Sequence, residues 1–209
     1  MSDASRFEIE FDRMLGDQPL MGVFRNLSPR EAVRRATRAW DLGVRNVEIP
    51  VQSPDAMPSL RAVIEAARER GLVVGAGTIV TRDQLADVLA AGAAYTVSPG
   101  LDVEIVEASV VRGLPHLPGV ATASEIVAAR KLGLRWVKAF PASTLGTTWI
   151  NAMLGPFPEQ KFVVTGGMTV ANAPVYLKAG ARCVAIGADF DDPGKRELIR
   201  EVMREGNSG

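Results

Sequence analysis

The chain has 209 residues, of which 47% are apolar and 23% charged. That is enough apolar matter for a sizeable core, and it excludes intrinsic disorder. Lys plus Arg is 24 and Asp plus Glu is 24, so the basic surplus of a general nucleic-acid binder is missing. No run of about 18 apolar residues occurs, which rules out a membrane-spanning helix. The opening residues carry Asp3, Glu8, Glu10 and Asp12 and do not read as a signal peptide. Cys183 is the only cysteine, so an internal disulfide is impossible. Inside Cys183-Val184-Ala185-Ile186 it reads as a small packing residue, and a reducing, cytoplasmic setting is expected.

In chain order, residues 7–15 carry a helical pattern ahead of an opening apolar strand at residues 19–24. Ser28-Pro29-Arg30-Glu31 has the form of a capping box with Pro at the first helical position. Behind it Ala32, Val33, Ala36, Ala39 and Trp40 share one helical face, while Arg30, Arg34, Arg35 and Arg38 are expected on the solvated face. From there one word repeats: a helical pattern, a glycine, then a short apolar run. The glycines are Gly43, Gly71, Gly92, Gly113, Gly133 and Gly180, each where a helix would end in the left-handed conformation. The runs after them are residues 44–49, 72–77, 93–98, 114–119, 134–140 and 181–186, and a further strand falls at residues 161–165. Thr81-Arg82-Asp83-Gln84 and Thr122-Ala123-Ser124-Glu125 repeat the capping device. Trp149 is expected to pack in the helix after the sixth strand, and residues 206–209 read as a frayed tail.

These eight strands are continuous apolar runs more than alternating ones, as in a parallel sheet covered on both faces. Their alternation with helices predicts a (β/α)8 TIM barrel, one domain over residues 1–209, with the extra N-terminal helix capping its bottom. An open doubly wound sheet is the rival. The chain lacks the Gly-x-Gly-x-x-Gly that would open a helix after the first strand in a dinucleotide fold.

In such a barrel the chemistry sits where the strands end. Those positions are Arg25, Glu48, Thr78, Pro99, Thr122, Lys138, the pair Gly166-Gly167, and Gly187. Lys138 lies inside the apolar strand Arg135-Trp136-Val137-Lys138-Ala139-Phe140. A desolvated lysine gives up its proton more readily and can attack a carbonyl to form a Schiff base; alternatively its stem packs and its head escapes to solvent. Glu48, in Asn46-Val47-Glu48-Ile49-Pro50, poses the same choice. It is either a structural ion pair with Arg25 or Lys138, or a general base of tuned pKa. Thr165-Gly166-Gly167, leading to a helix starting near Thr169, and Ile186-Gly187-Ala188 close the seventh and eighth strands. Barrels often bind phosphate there, with backbone N–H groups facing the anion; plain tight turns are the alternative. Asp189, Asp191 and Asp192 are expected to point away from that place. His116, the only histidine, reads as structural filler in Leu114-Pro115-His116-Leu117-Pro118, so no metal site is expected.

Six motifs in order carry a resemblance. They are Val47-Glu48-Ile49, Gly75-Ala76-Gly77-Thr78, Ser98-Pro99-Gly100, Pro118-Gly119, Val137-Lys138-Ala139-Phe140-Pro141-Ala142 and Thr165-Gly166-Gly167. From about residue 19 to residue 190 the chain resembles the class I 2-keto-3-deoxy-6-phosphogluconate and 2-keto-3-deoxy-6-phosphogalactonate aldolases. The resemblance implies that Lys138 is the Schiff-base lysine and that Glu48 is the general acid/base, moving protons through a bound water. It implies that Thr78, Pro99 and Phe140 line the pyruvate end, and that Arg25 holds the substrate carboxylate and the catalytic Glu. Gly166, Gly167, Gly187 and Ala188 correspond to the phosphate cradle. No cofactor or metal is implied. The resemblance further implies a phosphorylated keto-acid and pyruvate as partners and a homotrimer of barrels as the assembly.

Two departures bear on the substrate. After the second strand the gluconate-type enzymes resemble Glu-x-x-x-Arg-Thr, whereas this chain reads Glu48-Ile49-Pro50-Val51-Gln52-Ser53-Pro54. Gln52 supplies an amide in place of a cationic donor, which is similar to the galactonate branch and favours that substrate. Ala188 stands where many members carry serine, so one hydroxyl contact to phosphate is missing and the need for phosphate is left open. A 2-keto-3-deoxy-6-phosphogluconate or 4-hydroxy-2-oxoglutarate aldolase of the same family is the alternative. Remoter readings are a non-aldolase barrel that binds phosphate and a non-catalytic trimer.

Overall fold

The computed structural model describes residues 3–206. Of the expected tail, Gly206 closes the final helix and residues 207–209 lie outside the described residues. All strands belong to one parallel sheet. They are β1 (Leu20–Val23), β2 (Val47–Pro50), β3 (Val74–Gly77), β4 (Tyr95–Val97), β5 (His116–Leu117), β6 (Gly119–Val120), β7 (Trp136–Ala139), β8 (Lys161–Val164) and β9 (Cys183–Ile186). Their order is β5-β4-β3-β2-β1-β9-β8-β7-β6. The two outermost strands, β5 and β6, are one expected strand divided at Pro118, which has no N–H to continue a ladder. The barrel is therefore nearly closed, with the gap bridged by the chain itself.

Helices alternate with the strands: α1 (Asp3–Leu15), α2 (Pro29–Asp41), α3 (Met57–Arg68), α4 (Arg82–Ala91), α5 (Val103–Val111), α6 (Ala123–Lys131), α7 (Ala142–Leu154), α8 (Ala173–Lys178) and α9 (Arg196–Gly206). The capping boxes at Ser28, Thr81 and Thr122 are formed on both sides, so each satisfies orphan N–H groups and fixes where its helix begins. Gly43, Gly71, Gly92, Gly113, Gly133 and Gly180 all take positive φ, which only glycine adopts cheaply. One start differs from expectation. Residues 169–172 form a turn closed by reciprocal bonds between Thr169 and Asn172, and α8 begins at Ala173.

Inside the barrel, Met21, Tyr95, Val97, Leu117, Trp136, Val163, Cys183 and Ala185 pack with Phe11 and Leu15 of α1. The amphipathic α1 thus closes the bottom, with the Phe11 ring 6.0 Å from Tyr95 and 6.5 Å from Trp136. Outside, the helices pack their apolar faces on the strands in a second core. Trp149 sits in α7 edge-on to Phe162 at 5.5 Å, as expected of a packing residue. The arginines of α2 are not merely solvated. Arg34, Arg35 and Arg38 converge on Asp191, which follows β9, and tie α2 to that loop.

Candidate active site

Two charged side chains are buried near the top of the barrel. Glu48 on β2 is 1% exposed and Lys138 on β7 is 4% exposed. Glycine makes the space for the carboxylate: a Cβ on Gly77 would stand 1.8 Å from Glu48 Oε1. On the same strand Gly75 is overlain by the Tyr95 ring, whose hydroxyl donates to the Val47 carbonyl at 3.3 Å. The Gly75-Ala76-Gly77 motif is therefore a packing requirement of the site as much as a chain signature.

Glu48 Oε1 has no hydrogen-bond partner, and Glu48 is the only carboxylate among the described residues with a buried, unpartnered oxygen. Burial pushes its carboxyl up from the ordinary value, against the opposing pull of the Lys138 and Arg25 charges. Lys138 Nζ lies 4.8 Å from the centre of the Phe140 ring and forms no ion pair among the described residues. An unpaired amine beside a carboxyl held toward its protonated form is costly to bury. The pair can supply a nucleophile and a proton shuttle.

A cleft of about 560 Å³ opens above them, lined by Arg25, Thr78, Pro99, Lys138, Phe140, Gly166, Gly167 and Gly187, all expected at the site from the sequence. Val23, Thr165, Met168, Ala185 and Ile186 complete its wall and were not singled out by sequence. They are ordinary apolar or hydroxyl residues at strand ends, and nothing in their type marks them. Arg25 is fixed by two bonds, Nη1 to Gln52 Oε1 at 3.1 Å and Nη2 to Thr78 Oγ1 at 3.2 Å. Thr78 and Asn26 both hold positive φ, 63° and 56°. A β-branched residue in that region is strained, and such strain gathers at functional sites. Asn26 accepts from the Gln52 amide at 2.5 Å. Nothing in the sequence marks it, although Asn tolerates this backbone better than most side chains.

Three expected residues stand apart from the cleft wall: Glu48, buried on β2, and Gln52 and Ala188. Gln52 lies at the side of Arg25 and borders a separate 210 Å³ hollow with Asn26 and Ser59. Ala188 opens the short 3-10 turn after Gly187 and is exposed beside the cleft. Thr122 caps α6 and spends its side chain there. His116 is fully buried between Thr96 Oγ1 at 2.8 Å and Ser98 Oγ at 3.0 Å, and burial lowers its pKa to about 4. Ser98 already donates to the Gly100 carbonyl, so the ring donates to Ser98 and accepts from Thr96. His116 therefore supports the Pro99 loop from behind. Among the described residues no group of His, Cys, Asp and Glu could hold a metal ion, and no helix is long and apolar enough to cross a membrane.

Comparison with known proteins bears on this arrangement. A family model for KDPG and KHG aldolase matches residues 11–203. A probable 2-dehydro-3-deoxy-6-phosphogalactonate aldolase of Rhizobium meliloti is 31% identical over 179 residues, 85% of this chain and 84% of the relative. A KHG/KDPG aldolase of Escherichia coli is 34% identical over 173 residues, 80% of each. A similar solved structure is that of KDPG aldolase from Legionella pneumophila with pyruvate captured at low pH as a covalent carbinolamine intermediate. It has a TM-score of 0.77 and 28% identity and covers 98% of both chains. With a buried lysine and glutamate at one end of the barrel and a match along nearly its whole length, the chain belongs to the KDPG and KHG aldolase family, a family of class I aldolases among the carbon–carbon lyases.

Proposed function

We propose that this protein cleaves a 2-keto-3-deoxy-6-phosphoaldonate, the galactonate form in preference, to pyruvate and D-glyceraldehyde 3-phosphate through a Schiff base on Lys138. The observation that carries the reading is Lys138, buried and in no ion pair among the described residues, in the wall of a cleft that also presents Arg25, with the buried Glu48 carboxyl, one oxygen unpartnered, near enough to feel its charge. The Lys138 amine adds to the C2 ketone, Glu48 gives its proton to the departing hydroxyl, and loss of water leaves an iminium and the Glu48 carboxylate. Glu48 takes the proton of the C4 hydroxyl. The C3–C4 electron pair moves into the iminium, the aldehyde departs, and an enamine remains. Glu48 returns that proton to C3, and addition of water to the iminium, with its proton going back to Glu48, releases pyruvate and restores the amine. Arg25, held by Gln52 and Thr78, receives the carboxylate, and Phe140 and Pro99 keep the reacting carbon dry.

Gln52 supports the galactonate preference. Its Oε1 accepts from Arg25, whereas an arginine at 52 would set a second cation against the first. We carry over the homotrimer and the cytoplasmic setting on the family resemblance and the lone cysteine; sedimentation at trimer mass tests the former. The substrate is tested by measuring pyruvate release from the two C4 epimers. A larger kcat/KM for the galactonate epimer is expected. A larger value for the gluconate epimer moves the assignment to the alternative branch, and no pyruvate from either contradicts the reading.

A further inference from the structure

Beyond the ladder of β8 and β9, the loop at 165–172 and the loop at 187–192 stand as two arms of the cleft. Gly166, Gly167 and Met168 line it from one arm and Gly187 from the other. Both arms pack closely against neighbouring elements. A Cβ on Gly167 would meet Ser143 Oγ at 2.5 Å, and one on Gly187 would meet the Val23 carbonyl at 2.8 Å. Among the described residues one hydrogen bond joins the arms to each other: the buried Val170 N–H donates to Asp189 Oδ2 at 2.5 Å. The other oxygen, Oδ1, accepts from Lys195 Nζ at 2.5 Å.

Asp189 is 5% exposed. Burying a carboxylate is costly unless every lone pair in use has a donor, and an apolar residue would fill the same space more cheaply. Removing the carboxylate would also orphan a buried backbone N–H. Its place in the fold is informative for that reason. It is not part of the cleft wall, and its bond to Val170 bridges the two glycine arms.

We propose that Asp189, clamped by Lys195, is a positioning residue that holds the Gly166-Gly167 arm and the Gly187 arm at the spacing needed to receive the phosphate end of the substrate. The backbone N–H groups of the arms are the receptor; Asp189 acts only through them. The assignment rests on the proposed reading of this end of the cleft as the phosphate end, and Ala188 sharpens it. With no serine hydroxyl at 188, binding depends on backbone N–H groups, whose direction is set by loop geometry alone.

The test is a titration of the intact protein with inorganic phosphate, read from the amide shifts of Gly166, Gly167 and Gly187, beside aldol kinetics of pyruvate with D-glyceraldehyde 3-phosphate or with unphosphorylated D-glyceraldehyde. Asp189→Ala is expected to weaken phosphate binding and raise KM for the phosphorylated aldehyde about tenfold. Its kcat, and its KM for D-glyceraldehyde, are expected to stay within about twofold. Asp189→Asn keeps an acceptor for Val170 and is expected to recover most of the loss. Lys195→Met, a surface change that leaves the fold intact should Asp189→Ala not fold, is expected to give a smaller effect of the same selectivity. Equal losses with both aldehydes, unchanged phosphate binding in every variant, or no phosphate shift at these glycines in the native protein would overturn the proposal. Failure of the aldolase reading shows separately, as absence of a pyruvate adduct on Lys138.

Discussion

Trp136 and Lys138 lie two residues apart on β7 and face the same barrel interior, but their polar atoms meet different fates. At the bottom, the Trp136 indole N–H donates to Asp12 at 2.8 Å, and Lys161 beside it pairs with Asp12 at 2.5 Å and Glu8 at 3.4 Å. At the top, Lys138 faces the Phe140 ring at 4.8 Å and forms no ion pair among the described residues, and Glu48 Oε1 has no hydrogen-bond partner. The bottom uses polar groups to seat α1 over a packed aromatic cluster. The top leaves them unspent, at a cost in stability, where a substrate would complete them. A single strand can serve both ends because its pleat repeats every two residues while its surroundings change along the barrel axis.

The contrast can be broken at either end. Lys138→Met is expected to lower kcat by at least about 10⁴-fold, because the covalent path is lost. Its melting temperature should be unchanged or higher, since a buried unpaired amine is replaced by a thioether of similar length. Glu48→Gln should lower kcat by about 10²–10⁴-fold while pyruvate still forms its adduct. Retention of full cleavage activity would remove Glu48 from proton transfer. At the bottom the signs reverse. Phe11→Ala should cost about 3–5 kcal/mol in urea unfolding and leave activity per folded molecule within about twofold. A large loss of kcat there would show that the two ends are coupled.

The smallest effect concerns pH. The His116 ring titrates at about 4 in the fold, against an ordinary value of 6.5, because burial disfavours its charge. Between those values the unfolded chain binds the proton and the folded chain does not. Stability is therefore complete above 6.5 and falls as pH drops toward 4, by about 3 kcal/mol at most. His116→Leu should start less stable at pH 7 and lose less on acidification. Parallel pH dependences for the two proteins would place the acid sensitivity elsewhere.

Much of the fold was legible because local chemistry and global pattern agree. Serine and threonine caps start helices, glycines end them, and apolar runs between them have no room for anything but buried parallel strands. Proline cannot extend a ladder, so the division at Pro118 is readable in principle, although the apolar run at residues 114–119 reads as one strand. Lys138 and Glu48 stood out because charge in an apolar strand demands a reason. Asn26, Asp189 and the His116 support did not. Each works through tertiary contacts far apart in sequence, Val170 with Asp189 and Thr96 with His116, and carries no local anomaly. The ion pairs of Arg34, Arg35 and Arg38 were hidden for the same reason, since their partner Asp191 arrives only when the barrel closes.

The central claim is that Lys138 is the nucleophile. Incubation with pyruvate and borohydride, followed by peptide mass spectrometry, tests it most directly. The expected result is one pyruvate-derived adduct on the peptide containing Lys138 and none in Lys138→Met. Absence of an adduct on the native protein, under conditions that label a working class I aldolase, or an adduct on a different lysine, would contradict the account.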